Sequence, residues 1–134
     1  MPNALLIADR LTEAEMEMER VVEEDGLYLV IRNRTTEKIE RKTPPSADEI
    51  REHIGRYMIE NCPLNAMPGV VYWCYEEHRI WAPELEVLYE QHGELFIQDW
   101  VGGVVVITRL DKFGRTRLLS KDDVPLVEKW LRAK

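Results

Sequence analysis

The sequence predicts an α+β fold, in which a mainly antiparallel sheet of about five or six strands packs against three amphipathic helices. Three segments begin with helix-capping residues and continue with apolar residues at helical spacing. Between them lie short apolar or alternating segments separated by turn-forming residues, as in antiparallel sheets. Because 134 residues is the size of one domain, we expect residues 1–134 to form a single domain.

The helices are predicted from their first turns. In a capping box, a Thr or Ser side chain accepts a backbone hydrogen bond from the third helical residue, and a Glu there returns one. Thr12 with Glu15, and Ser46 with Glu49, have this spacing. The third helix begins where Asp122 or Asp123 can cap it. The predicted helices span residues 12–24, 46–61 and 123–133.

The remaining segments predict strands and turns. GLYLVIRNR and EKIERKT, on either side of Asn33–Thr36, predict a hairpin. The apolar run VVYWCY, residues 70–75, predicts a strand that is buried on both faces. Gly102–Gly103 separates ELFIQDW from VVVITRL, which then turns through DKFG into RTRLL.

Residues 84–92 fit two structures. Leu85, Val87 and Tyr89 alternate with polar residues, as in a half-buried strand. Pro83, the early glutamates and the glycine that follows instead suit the start and end of a helix. We predict a helix here, with the strand as the open alternative.

Composition and charge exclude several classes of protein. The net charge of −7 argues against a protein that simply coats nucleic acid. The first apolar run ends at Asp9, so it is too short for a signal peptide, and no later run approaches the ~20 residues of a membrane helix. Two cysteines, Cys62 and Cys74, are too few for a secreted disulfide framework. We therefore expect a cytoplasmic protein with reduced thiols.

The run YWCYEEHRIW, residues 72–81, allows two interpretations. A metal shared by Cys74 and His78 would require the chain to turn at Glu76–Glu77, because four strand residues span about 13 Å. The further ligands would be Cys62 and either His53 or His92. The simpler interpretation is a buried Cys74 followed by a polar turn.

The motifs of common catalytic and cofactor sites are missing from the sequence. It contains no C-x-x-C or H-x-x-x-H pair and no phosphate-binding glycine loop. Ser46 and Ser120 both lie where capping a helix explains them, and neither is in a G-x-S-x-G elbow. We therefore predict no catalytic residue, no metal site, no cofactor and no small-molecule substrate.

Charge is distributed unevenly along the chain. Residues 32–42 carry a local charge of +3 and residues 109–121 a local charge of +4, so both predicted hairpins are basic. The first predicted helix and its flanks, residues 9–25, carry −6. Solvated edge strands often have such cations, which prevent aggregation. A bipolar surface also suits docking to a protein partner or to a second copy of the chain.

These observations favour a non-catalytic interaction module, such as an adaptor, an inhibitor or a chaperone-like regulator. Trp100, beside the Gly102–Gly103 turn, is a candidate interface anchor. The alternative is a nucleic-acid-binding protein, whose basic hairpin contacts phosphates and stacks an aromatic ring on a base. Its residues would be Arg109, Lys112, Phe113, Arg115 and Arg117. A third hypothesis is a small metal-dependent enzyme around Cys74, Glu77 and His78.

Overall fold

The structure, a computed structural model, describes residues 24–77 and 84–133. Within these ranges the chain is α+β, with mostly antiparallel strands in two sheets and with two helices. The strands are β1 (Gly26–Arg32), β2 (Thr35–Arg41), β3 (Ile59–Pro63), β4 (Val70–Tyr75), β5 (Glu84–Gln91), β6 (Glu94–Gly102), β7 (Val105–Leu110), β8 (Thr116–Arg117) and β9 (Leu131–Ala133). The helices are α1 (Ala47–Ile54) and α2 (Asp123–Trp130).

The larger sheet has six strands in the order β2-β1-β7-β4-β3, and β8 pairs with β7. The central strand β7 is antiparallel to both of its neighbours, β1 and β4. The smaller sheet has three strands in the order β6-β5-β9, also antiparallel. The predicted single sheet of five or six strands thus corresponds to the larger sheet, and the second sheet was not predicted.

The two faces of the six-stranded sheet pack against different elements. On one face, Tyr28 of β1 and Val106 of β7 pack with Ile50 and Ile54 of α1. On the other face, the residues that alternate with these along the strands, such as Leu29 of β1 and Ile107 of β7, form a larger core with α2 and with the three-stranded sheet. Successive strand residues point to opposite faces, so a segment buried on both sides must be apolar throughout, as residues 27–31 of β1 and 105–107 of β7 are.

Two predicted helices end earlier than expected. The capping box of Ser46 and Glu49 is confirmed, but α1 ends at Ile54, where Gly55 adopts a left-handed conformation with φ 78°. Residues 59–61, predicted as helix, instead belong to strand β3. Helix α2 ends at Trp130, and residues 131–133 pair with β5. Asp122 is its N-cap residue but makes no side-chain cap hydrogen bond.

The predicted helix over 84–92 is wrong, because these residues form β5 and a tight turn into β6. The turn residues His92 and Gly93 both have positive φ, 54° and 81°, as two-residue hairpin loops require. The alternation of the apolar Leu85 and Val87 with polar residues therefore indicated a strand correctly, and both apolar side chains are buried.

The predicted hairpin around Asn33 is confirmed as β1–β2, and the turn through DKFG is confirmed as the β7–β8 connection. The predicted helix 12–24 falls almost entirely on residues outside the described ranges. A single domain over residues 1–134 stays a prediction. In the part of the chain that the structure describes, no helix combines the length and the apolar character needed to cross a bilayer.

Candidate functional site

The turns of the two basic hairpins lie at opposite ends of the six-stranded sheet. The β1–β2 turn, Asn33–Arg34, follows the end of β1, where Ile31 is opposite Val105 at the start of β7. The β7–β8 turn follows the end of β7. Because β1 and β7 are antiparallel, the two turns point away from each other. The two loops therefore do not form one continuous basic surface.

Arg109, the first cation of the second hairpin, is part of an internal ion pair. Its Nε and Nη2 atoms donate to the two carboxylate oxygens of Asp123, at 2.9 and 2.7 Å. The Ser120 backbone N–H also donates to Asp123 at 2.9 Å. The bonds from Arg109 lower the pKa of Asp123 more than burial raises it. Arg109 thus links the central strand to the first turn of α2.

The other two arginines of this hairpin also contact carboxylates. Asp111 accepts hydrogen bonds from the Arg115 side chain and from the Phe113 backbone, at 2.8 and 2.9 Å. Arg117 donates to both carboxylate oxygens of Glu24, at 3.2 and 3.0 Å. In the first hairpin, Arg41 binds Glu49 of α1 in the same way. Much of the predicted basic surface is therefore used to hold the fold together.

Of the remaining predicted binding residues, Lys112 is exposed, whereas Phe113 and Trp100 are half-buried. The Lys112 ammonium lies 5.1 Å from the ring centroid of the half-buried Phe113, at the tip of the second hairpin. Trp100 is half-buried in β6, and its backbone N–H donates to the Asp99 side chain at 2.8 Å. The hairpin tip and Trp100 belong to different sheets.

The predicted cluster of Cys74, Glu77 and His78 is not assembled in the described residues. Glu77 lies in the exposed turn after β4, where it accepts a hydrogen bond from Tyr75, and His78 lies outside the described ranges. His53 bonds to Tyr28, on the α1 side of the sheet, at 2.8 Å. His92 is in the β5–β6 turn. The histidines that were considered as further ligands therefore lie elsewhere.

The structure instead brings Cys74 together with Cys62 and Glu60. Strands β3 and β4 are antiparallel, with Glu60 opposite Cys74 and Cys62 opposite Tyr72. One ligand atom from each of Glu60, Cys62 and Cys74 lies within 4.8 Å of the other two. The sequence does not predict this cluster, because its local pattern predicts a helix over residues 59–61. A strand ending at Pro63 would have suggested a pairing with residues 70–75.

The electrostatic environment of the two thiols keeps them protonated in the absence of a cation. Burial raises the pKa of both Cys74 and Cys62, and the negative charge of Glu60 raises it further. Asp99 of β6 adds negative charge, and it accepts a hydrogen bond from Tyr72 at 3.4 Å. Unpaired thiols in such surroundings are poor nucleophiles, so this cluster does not favour cysteine catalysis.

Strand β6 carries a run of three consecutive exposed apolar residues, besides the exposed Tyr57, Met58 and Leu126 elsewhere in the described residues. Leu95, Phe96 and Ile97 follow one another in β6 and are 38, 40 and 46% exposed. Strand β6 is at the edge of the three-stranded sheet. Ile97 is opposite Leu88, and Phe96 stacks on Tyr89 with ring centroids 5.5 Å apart. The outer edge of this strand offers both apolar side chains and backbone hydrogen-bonding groups.

A β-bulge separates this exposed segment from the anchored half of β6. Leu88 pairs with Ile97 and Val87 with Asp99, so Gln98 is the extra residue. The Gln98 side chain donates to the Pro63 carbonyl at 3.0 Å and accepts from the Asn65 backbone at 3.4 Å. The strand is thus fastened to the larger sheet at Gln98, while residues 94–97 extend beyond that point.

The edge strand and the thiol cluster are the two candidate sites. No protein-family model matches the chain, and neither a curated protein nor a solved structure matches it. The two sites suit different ligands. The edge strand offers main-chain groups and apolar area, whereas the cluster offers sulfur and oxygen atoms.

Proposed function

We propose that this protein is a non-catalytic interaction module that pairs with a second copy of itself through the edge strand β6. The observation that supports this proposal is the run of three exposed apolar side chains at Leu95, Phe96 and Ile97, on a strand edge with which no other described strand pairs. Leu95 and Ile97 lie on one face of the strand and Phe96 on the other, and an exposed strand edge with apolar side chains is typical of sites that pair with another strand. Natural edges are usually blocked by lysine or proline, and residues 94–97 contain neither.

The sequence of β6 suits pairing with its own copy. Hydrogen-bonded and non-hydrogen-bonded pairs alternate along an antiparallel ladder, so two-fold symmetry requires one residue to lie opposite itself. Centring the pair on Phe96 places Leu95 opposite Ile97 of the second copy, so that all three apolar residues meet apolar residues. Glu94 then lies opposite the uncharged Gln98. Centring on Leu95 would instead place Glu94 opposite Phe96.

The proposal includes the cytoplasmic location that is expected from the sequence. The two free thiols, Cys62 and Cys74, support this location. The nucleic-acid alternative has weaker support, because Arg109, Arg115 and Arg117 already contact carboxylates within the chain. A phosphate would have to displace those contacts, and the overall charge of −7 opposes its approach.

The test is the mass of the protein in solution, measured by light scattering across a dilution series. A ladder of about five residues buries less than the roughly 1,600 Å² of a standard interface, so we expect a dimer that dissociates on dilution. Phe96→Lys should give a monomer at every concentration. Leu126→Lys is the matched control, since Leu126 is 49% exposed but lies on α2. A wild-type monomer throughout, or a dimer that survives Phe96→Lys, contradicts the proposal.

A further inference from the structure

We propose that Glu60, Cys62 and Cys74 form a binding site for a thiophilic divalent cation, for which Zn²⁺ is the expected ion. This site is independent of the β6 edge and would operate in a monomer or a dimer. It uses one face of the β3–β4 pair, at the side of the six-stranded sheet where β3 is the outermost strand.

The antiparallel register builds the site. Alternate residues of a strand share a face, so Glu60 and Cys62 point to the same side of β3. Glu60 is directly opposite Cys74, which places the second thiol on that side as well. The three ligand atoms all lie within 4.8 Å of one another. In a tetrahedral zinc site, bonds of about 2.0–2.3 Å place the ligand atoms roughly 3.3–3.8 Å apart. Small side-chain rotations would therefore bring the three ligand atoms to the distances that a zinc ion requires.

A metal fits this arrangement better than a disulfide bond does. Cys62 is opposite Tyr72, so the two cysteines are diagonal neighbours. Diagonal neighbours lie roughly 7–8 Å apart, with Cβ atoms somewhat closer, whereas a disulfide needs a Cβ separation of about 3.5–4.5 Å. The two sulfur atoms lie within 4.8 Å of each other, a gap that a cation can bridge while the strands keep their register.

The chemistry of the ligands selects the class of metal. Two thiols with one carboxylate suit Zn²⁺, whereas Mg²⁺ and Ca²⁺ prefer sites made entirely of oxygen ligands. Cys74 is fully buried, but Glu60 and Cys62 are half-exposed, so an ion can reach the site from solvent. Three protein ligands leave a fourth position for water or another ligand.

Neighbouring residues strengthen the attraction for a cation. The Asp99 carboxylate accepts a hydrogen bond from Tyr72, which is opposite Cys62 and two residues before Cys74, and the negative charge of Asp99 acts on both thiols. The Cys62 thiol already points towards Glu60, with 3.9 Å between Sγ and Oε1. Glu60 and Asp99 thus place two carboxylates around two sulfur atoms, and a bound cation would balance that negative charge.

The experiment uses the full chain without a histidine tag, stripped with a chelator and titrated with Co²⁺ and then with Zn²⁺. We expect one equivalent of Co²⁺ to produce a thiolate-to-cobalt absorption band, which one equivalent of Zn²⁺ then removes. Zn²⁺ should also raise the melting temperature of the wild type. The band requires sulfur ligands, so it separates this site from adventitious binding at the histidines.

The variants assign the ligands. Replacing a residue that only hydrogen-bonds to a metal ligand costs about 10–100-fold in metal affinity. Because Cys62 would itself be a ligand, Cys62→Ser should weaken Zn²⁺ binding by at least about 100-fold. Glu60→Gln should weaken it as well, while Glu52→Gln, an exposed carboxylate of α1, should have no effect. Circular dichroism confirms that each variant is folded. Absence of the cobalt band in the wild type, or unchanged Zn²⁺ binding in folded Cys62→Ser, overturns the inference.

Discussion

Arg109 and Asp123 join the central strand of the larger sheet to the first turn of α2 through two hydrogen bonds, at 2.9 and 2.7 Å. The Asp123 side chain is only 10% exposed, whereas that of Arg109 is 35% exposed. The pair is therefore partly shielded from water, and it holds α2 against the face that the three-stranded sheet also covers.

Replacing Asp123 with Asn should lower the free energy of unfolding. The substitution removes the negative charge that faces Arg109 and weakens the bond from Ser120. We expect a loss of about 1–2 kcal/mol, less than for a fully buried pair because solvent screens Arg109. Urea denaturation measures this loss. Asp48→Asn, which breaks the exposed pair with Arg51, is the control and should have a smaller effect. Equal effects of the two substitutions would contradict the assigned role.

Stability should decrease in acid. Hydrogen bonds from Arg109 lower the pKa of Asp123 below 3.8, and those from Arg41 lower the pKa of Glu49 below 4.5. The folded state therefore releases protons more readily than the unfolded state. Its extra stability is complete above the unfolded pKa values and is lost as the pH falls through the folded ones.

Urea denaturation at a series of pH values measures this effect. We expect the contribution of these carboxylates to be constant from about pH 7 to pH 5.5 and to decrease below about pH 4.5. Asp123→Asn should make the decrease shallower, because one of the titrating groups is gone. A wild type whose stability is unchanged down to about pH 3 would show that these ion pairs contribute little.

The pairing of β6 in the proposed dimer can be tested by cross-linking. Opposite residues of an antiparallel pair have Cβ atoms about 4.5–5.5 Å apart, so Phe96→Cys should form an intermolecular disulfide under mild oxidation. Glu94→Cys is the control from the same strand, since residue 94 would face residue 98 and lie about 13 Å from its own copy. Both variants are made with Cys62→Ser, which removes the half-exposed native thiol. Faster cross-linking of Glu94→Cys would indicate a different register.

A titration with nucleic acid distinguishes the nucleic-acid hypothesis from the proposed interaction module. We titrate labelled duplex and single-stranded DNA and RNA at two salt concentrations and follow fluorescence anisotropy. Because Arg109, Arg115 and Arg117 already have carboxylate partners, we expect no binding in the micromolar range. Binding with a steep salt dependence that Lys112→Glu with Arg115→Glu removes would instead favour the nucleic-acid hypothesis. Leu126→Lys again serves as the control variant.

Local sequence patterns determined several elements by themselves. The capping box of Ser46 and Glu49 begins α1, and the apolar run of residues 70–75 forms β4. The β1–β2 hairpin turns at Asn33–Arg34, within the predicted loop. Each of these features depends on residues that are close together in the chain, so periodicity, caps and turn residues are sufficient to predict them.

Tertiary structure alone decided the features on which the two proposals rest. Residues 59–63 became a strand because they pair with β4, and only that pairing places Cys62 beside Cys74. Glu24 and Arg117 form an ion pair although they are 93 positions apart, so the local charge of +4 did not reveal which cations remain accessible. The sequence by itself determined where strands, turns and charges occur along the chain. Which strands pair, which charges neutralise each other and which apolar edge stays exposed depend on long-range packing, which no local pattern encodes.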